Sequence, residues 1–264
     1  MSARRVVLLS TGDDFSRDLL AVLVARRAGV AAHLVYRNVH GRPPPHPARR
    51  LLEDVRALRR RFDPRLRAGA EETFFTGALN APRMIRDLER LRPDVVVLAR
   101  CALLGPRLLE IPSEGVVNVH PGLLPWIRGS NPFTHTLLRG VPLGCTAFRV
   151  DAGIDTGPLL ERRLLRISGS ESVAELRSAL RRLWIEMTAD LVQRVRVGIP
   201  MGVAQTSRSP LCRALPHAVP PEAADAVASG VPFALFQRWS ALCDGERLPL
   251  DADPPPLAGA EAAH

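Results

Sequence analysis

The chain has 264 residues, 46% of them hydrophobic, which is enough to bury a large core without disulfide or metal staples. Its four cysteines, Cys101, Cys145, Cys212 and Cys243, form no C-x-x-C pair, so neither a zinc cluster nor a disulfide framework is expected and a reducing cytoplasm fits. The formal charge of +9 would suggest a nucleic-acid partner, but all 36 basic residues are arginine, spread along the whole chain, which reads as composition bias rather than a built patch.

In chain order, the apolar run that follows Arg4 and Arg5 is too short for a signal-peptide core, and no later stretch is long enough to cross a bilayer. Residues 4–10 read as a strand buried on both faces. Ser16 is placed to cap a helix through Leu19, Leu20, Leu23 and Val24 that stops at Gly29, and residues 31–36 give a second strand. A proline-rich turn (43–47) leads into an arginine-heavy helix over 48–61, read as a solvated outer helix with polyanion contact as the alternative. Residues 73–76 form a short strand, 81–91 a helix, 94–99 the clearest buried strand and 116–120 a further one. Strands alternating with helices predict an α/β fold: a Rossmann-like open, mostly parallel twisted sheet with helices on both faces and a ligand at the carboxyl ends of its strands.

Beyond Gly140 the rhythm changes to two strands, 145–151 and 159–167, and a long helix over 171–195. This predicts a catalytic domain over 1–197 and a small C-terminal extension over 198–264. The extension carries helices at 221–229 and 233–243 and a Pro/Ala-rich frayed end. Covering the acceptor side and forming a homodimer are the two roles open to it.

Two segments carry chemistry. In Val116-Val117-Asn118-Val119-His120 the two polar side chains fall at alternate positions, hence on one face of a strand, just before Pro121. A buried amide and imidazole are either a satisfied structural network or a site. In Asp151-Ala152-Gly153-Ile154-Asp155-Thr156-Gly157 two glycines bracket an acidic residue, which reads either as a hairpin turn or as a loop that brings a carboxylate to a ligand. A carboxylate beside an imidazole raises its basicity and fixes its orientation.

Taken together, Asn118-Val119-His120-Pro121-Gly122-Leu123-Leu124-Pro125, Arg128-Gly129, Gly140, Gly144 and Ile154-Asp155-Thr156-Gly157 resemble the folate-dependent formyltransferase family, which includes the glycinamide ribonucleotide, methionyl-tRNA and amino-sugar formyltransferases. The resemblance runs in element order from Val6 to Val195 and is sharpest between Asp94 and Pro158. It implies 10-formyltetrahydrofolate as donor, no metal, and Asn118, His120 and Asp155 as catalytic residues. In the mechanism this implies, an amine attacks the formyl carbon, Asn118 and His120 stabilise the oxyanion, and Asp155 assists proton movement. The resemblance also places the pterin against residues 101–104 (Cys101, Ala102, Leu103, Leu104) and the loop holding Asp151 and Gly153. Arg100-Cys101 departs from the glycine and aromatic residue usual there.

The acceptor side follows from the first loop, Thr11-Gly12-Asp13-Asp14. Two carboxylates repel a phosphate, so Asp13 and Asp14 are expected to meet a cationic amine or sugar hydroxyls, or else simply to complement the helix dipole. Arg128 is a further candidate for acceptor contact. The expected function is therefore N-formylation of a small-molecule amine, an amino-sugar nucleotide or a specialised metabolite. The alternatives are a methionyl-tRNA formyltransferase-like enzyme, a formyltetrahydrofolate hydrolase, and a non-catalytic folate- or RNA-binding protein.

Overall fold

The computed structural model describes residues 3–37, 58–100, 103–206, 209–215 and 218–251. The proline-rich turn, most of the arginine-heavy helix, Cys101, Ala102 and the end from residue 252 lie outside the described residues. The chain divides into two compact units, one of residues 1–118, 149–152 and 185–200, the other of residues 119–148, 153–184 and 201–264.

The first unit is built on parallel ladders. Strands β1 (Val6–Ser10), β2 (Val30–Arg37), β3 (Ala70–Ala78), β4 (Val95–Ala99) and β5 (Gly115–His120, which enters from this unit) take the order β3-β2-β1-β4-β5. The register is fixed by pairs such as Leu8 with Val97 and Leu98 with Asn118. Both β1 and β4 are buried at every position, which is why each is an uninterrupted apolar run. The order turns outward in opposite directions from β1 and β4, so the carboxyl ends of these two strands form the crevice where open α/β sheets bind ligands.

Helix α1 (Asp14–Ala25) is capped by Asp13, whose side chain accepts from the Ser16 backbone N–H, and not by Ser16, whose hydroxyl itself donates to Asp13. It ends at Ala25, before the expected Gly29, because Arg27 turns left-handed with φ 53°. Helix α2 (Pro82–Leu91) buries Met84, Leu88 and Leu91 at helical spacing against Val7, Leu9, Leu34 and Leu98. Each such leucine removed from water contributes about 2 kcal/mol. Strand β3 is nine residues long where four were expected, since Glu71 and Glu72 at its exposed end interrupt the apolar pattern. A single turn, α3 (Pro106–Leu109), was not expected.

The second unit carries antiparallel strands. Strand β6 (Gly144–Arg149) pairs with β7 (Leu159–Leu164), which pairs with β8 (Arg247–Leu248). Helix α4 (Pro132–Arg139) begins at a proline and stops at Gly140, φ 61°. Helix α5 (Val173–Arg194) belongs to this unit as far as Trp184 and to the first from Ile185, and α6 (Pro221–Ala228) and α7 (Val231–Ser240) come after it in this unit. The tail packs into this unit: Trp239 of α7 and Leu248 of β8 share a core with Leu123 and Leu164, and Trp126 meets Trp239 edge-on at 5.2 Å. The chain thus has the α/β architecture its sequence predicts, parallel first and antiparallel after the change of rhythm. Among the described residues no helix is long and apolar enough to cross a membrane.

Candidate active site

Residues Asn118 and His120 stand two apart near the carboxyl end of β5, a spacing that turns both to one side of the strand. Each carries a buried polar atom without a hydrogen-bond partner among the described residues, Oδ1 of Asn118 and Nε2 of His120. A buried orphan costs about 1–3 kcal/mol, so two of them on one strand face mark a place where the chain keeps hydrogen-bonding capacity for something else.

The turn after His120 is held from behind. The Thr146 hydroxyl donates to the Gly122 carbonyl (2.9 Å) and accepts from the Leu124 N–H (3.0 Å), while the Trp184 indole donates to the Val119 carbonyl at 2.7 Å. Glycine is required at position 122. A Cβ there would come within 2.8 Å of Ile127 and 2.9 Å of His120 Nε2, so any side chain would press on the free ring nitrogen.

The Asp155 carboxylate reaches the other ring nitrogen, with Oδ2 lying 3.6 Å from His120 Nδ1. That is outside hydrogen-bond range, so the contact is electrostatic. Asp155 sits in the left-handed region (φ 52°), and its Oδ2 accepts the Gly129 N–H at 2.8 Å. Gly129 itself has φ 99°, and a Cβ on it would meet the Cys212 carbonyl at 2.7 Å. The loop is clamped further by Arg128, which donates twice to the Ile154 carbonyl (3.1 and 3.0 Å) and once to Ser209 (3.2 Å). The Gln205 amide donates to the carbonyls of Asp155 (3.1 Å) and Gly157 (2.7 Å).

Burial lowers the His120 pKa, and this outweighs the opposing pull of Asp155 and of a hydrogen bond with the Ile127 backbone. The ring is therefore neutral at pH 7. Among the described residues Nε2 has no hydrogen-bond partner, and Nδ1 is the ring nitrogen that faces Asp155. A neutral imidazole so placed, in the tautomer that leaves the lone pair on Nε2, is backed by a carboxylate that stabilises the ring once it accepts a proton. That arrangement suits a general base.

The other expected residues are spread more widely. Asp13 spends one oxygen on its capping bonds to Ser16 and the other on Arg100, 3.1 Å away. Asp14 is exposed and pairs with Arg17 at 2.5 Å. Leu103 is exposed and its carbonyl accepts from the Asn80 amide (3.1 Å), whereas Leu104 leans on the core of the first unit. Asp151 and Gly153 lie exposed in the loop before Asp155. Cys101 and Ala102 fall outside the described residues. Sequence reasoning did not single out Thr146, Trp184 or Gln205. Nothing in their local pattern signals a partner 22, 65 or 50 residues away. The pair Arg128-Gly129 was visible as a motif, but not as the clamp and amide that orient Asp155.

A family model described as formyl transferase matches residues 52–190, more than half of the chain. The chain belongs to the formyl transferase family. Among the family's curated members, the methionyl-tRNA formyltransferase of Geobacter metallireducens is 36% identical over 122 residues, which is 46% of this chain and 39% of that protein. The match thus spans about two fifths of that relative's length. Two solved formyl transferases share the fold. One is a sugar N-formyltransferase from a Shewanella species (TM-score 0.57, 14% identity, covering 85% of this chain and 87% of that one). The other is a formyltransferase from Anoxybacillus kamchatkensis, solved with UDP-4,6-dideoxy-4-formamido-L-AltNAc and tetrahydrofolate (TM-score 0.50, 16% identity, covering 78% and 84%).

Proposed function

We propose that this chain is an N-formyltransferase that moves the formyl group of 10-formyltetrahydrofolate onto the amine of a small molecule, with His120, Asp155 and Asn118 at its catalytic centre. The observation that carries the reading is the free, buried Nε2 of a neutral His120 whose other face looks onto Asp155 at 3.6 Å, in a chain of the formyl transferase family. When bound, the folate supplies an activated formyl group. Leu103, Leu104, Asp151 and Gly153 are the described residues that the family resemblance assigns to holding it. The orphaned atoms of Asn118 and His120 and the side-chain-free turn at Gly122 fit a reacting polar group.

His120 Nε2 takes a proton from the acceptor nitrogen as that nitrogen bonds to the formyl carbon, and would return it to the folate nitrogen as the bond between that nitrogen and the formyl carbon breaks. The ring passes through a cationic state in this exchange, and Asp155, oriented by the Gly129 N–H, stabilises that state. The Asn118 amide contributes its N–H to a developing negative oxygen. Its orphaned Oδ1 and its Nδ2 exchange places on a half-turn of the amide, so the buried position serves a donor as readily as an acceptor.

Within the small-molecule reading, the first loop disfavours a phosphoribosyl acceptor: the exposed Asp14 carboxylate, paired with Arg17, suits hydroxyls better than a phosphate beside the amine. The small-molecule reading itself is supported by the UDP-sugar found in the Anoxybacillus structure. The second reading, an acceptor amine on methionyl-tRNA, is favoured by the names of the curated relatives. One competition decides between them. The protein is incubated with 10-formyltetrahydrofolate and a panel of UDP- and TDP-linked amino sugars, with charged methionyl-tRNA in parallel, and formylated products are weighed by mass spectrometry. Formylation of an amino-sugar nucleotide, with methionyl-tRNA at least a hundredfold poorer in kcat/KM, is expected. The reverse ranking replaces the first reading with the second, and formate release without any amine replaces both with hydrolysis.

A further inference from the structure

The parallel sheet of the first unit has a second end. Its carboxyl edge carries Asp13, Arg100 and Asn118, whereas Arg5 and Arg92 lie just before β1 and β4, at the amino edge, roughly 17 Å away along a five-residue strand. There the end of α2 and the entry to β1 border a cleft wide open to solvent, of about 680 Å³, lined by Arg5, Arg86, Glu89, Arg90, Leu91 and Arg92. That volume lies within the range of small-molecule sites.

Four arginines line one opening, and among the described residues none of the four has a carboxylate within salt-bridge range. The nearby acids are occupied elsewhere: Glu89 pairs with Arg107 (3.3 Å), Asp87 with Arg83 (3.7 Å), and Asp94 accepts the Arg5 backbone N–H (2.7 Å) and the Ser113 hydroxyl (3.0 Å). Two of the cations are also held in place. Arg5 Nε donates to the Leu91 carbonyl at 2.7 Å, and Arg90 lies over the Phe74 ring at 5.1 Å. Arg86 and Arg90 are one helical turn apart, so their side chains are neighbours on the α2 surface.

We propose that this cleft binds a compact oligophosphate, a ligand bearing two or more adjacent phosphate groups, at a site separate from the catalytic one. Guanidinium forks match phosphate oxygens two at a time, and several of them converging on one concavity suit a cluster of negative charge better than a single anion. A nucleic-acid strand would need a basic groove that continues past the cleft. The flanking Arg83, Arg107 and Arg4 instead each pair with a carboxylate, Asp87, Glu89 and Glu114, which interrupts the run of unpaired charge on those sides.

The test is calorimetric titration of the full chain with sodium tripolyphosphate, with inorganic monophosphate, ATP and an unstructured RNA oligonucleotide as separate arms. Tripolyphosphate is expected to bind saturably, and more tightly than monophosphate. Raising salt from about 50 mM to about 300 mM should weaken it. The exposed pair Arg86→Gln/Arg90→Gln should lose at least about tenfold in affinity, and Arg92→Gln several-fold. Affinity for ATP equal to that for tripolyphosphate would make the phosphates the recognised part, and a further gain would add the nucleoside. The proposal is overturned if tripolyphosphate binds no better than monophosphate, if Arg86→Gln/Arg90→Gln leaves binding unchanged, or if RNA binds at least tenfold more tightly than tripolyphosphate. Binding is read directly, so the outcome stands whether or not formyl transfer is established.

Discussion

Replacing Asp155 with asparagine removes one charge and almost nothing else, because the amide oxygen can still accept the Gly129 N–H. What disappears is the attraction between a carboxylate and a protonated imidazole 3.6 Å away. With an effective dielectric constant near 20, that attraction is about 5 kcal/mol. It acts only when His120 carries a proton, which on this account happens during the reaction and not before it. The variant should therefore keep KM for both substrates within a few-fold and lose about 10³-fold in kcat, the loss being smaller than the full Coulomb figure because solvent reaches part of the carboxylate. A second signature follows from the ring's titration. The enzyme needs His120 neutral, so kcat/KM falls as pH drops through its depressed pKa, below 6.5. Without Asp155 only the Ile127 backbone opposes the effect of burial, and the acid limb should move to still lower pH. Steady-state kinetics from pH 4.5 to 8, beside a melting curve showing an intact fold, would measure both. A variant that keeps more than a tenth of wild-type kcat, or whose loss lies wholly in KM, would refute the assignment.

Stability should show a different histidine. His33 is fully buried between the Ser10 hydroxyl (2.7 Å) and the Leu66 carbonyl (2.9 Å), and burial lowers its pKa from 6.5 to about 4. The unfolded chain binds this proton first, so stability is complete above pH 6.5 and about 3 kcal/mol is lost as pH falls to 4. Denaturant melts should show this slope, and His33→Gln should flatten it. An unchanged slope would mean other groups carry it. Gly122→Ala should cost kcat on the order of 10²-fold, because the new methyl group displaces Nε2; kinetics within threefold of wild type would show that the turn yields freely. Arg100 holds φ 58° and an exposed pair to Asp13, so Arg100→Gly trades about 1 kcal/mol of relieved strain against a similar or smaller loss. Its melting temperature should hold or rise, and a fall of more than several degrees would count against that balance.

The buried strands were legible because burial on both faces forces an uninterrupted apolar run, as in Val95–Ala99. The helix at Pro82–Leu91 was legible through the spacing of Met84, Leu88 and Leu91. Strand β8 was not: two residues, Arg247 and Leu248, become a strand only because β7 offers a free edge. Likewise no helix was expected over Pro132–Arg139, where α4 begins on a proline. At the site, His120 and Asp155 could be paired through family resemblance and now stand together in space. The device that aims Asp155 could not, because the Gly129 amide, Arg128 and Gln205 act through backbone groups that no side-chain pattern records. The neutral state of His120 also depends on burial, which only the packed structure reveals.

The most direct measurement follows the one-carbon group itself. Supplied with ¹³C-formyl-labelled 10-formyltetrahydrofolate and an accepted amine, the wild-type chain should place the label on the amine nitrogen in step with folate consumption, and His120→Asn should abolish that transfer while still binding both substrates. Label released as formate at the same rate with and without the amine, or transfer undiminished in His120→Asn, would contradict the account.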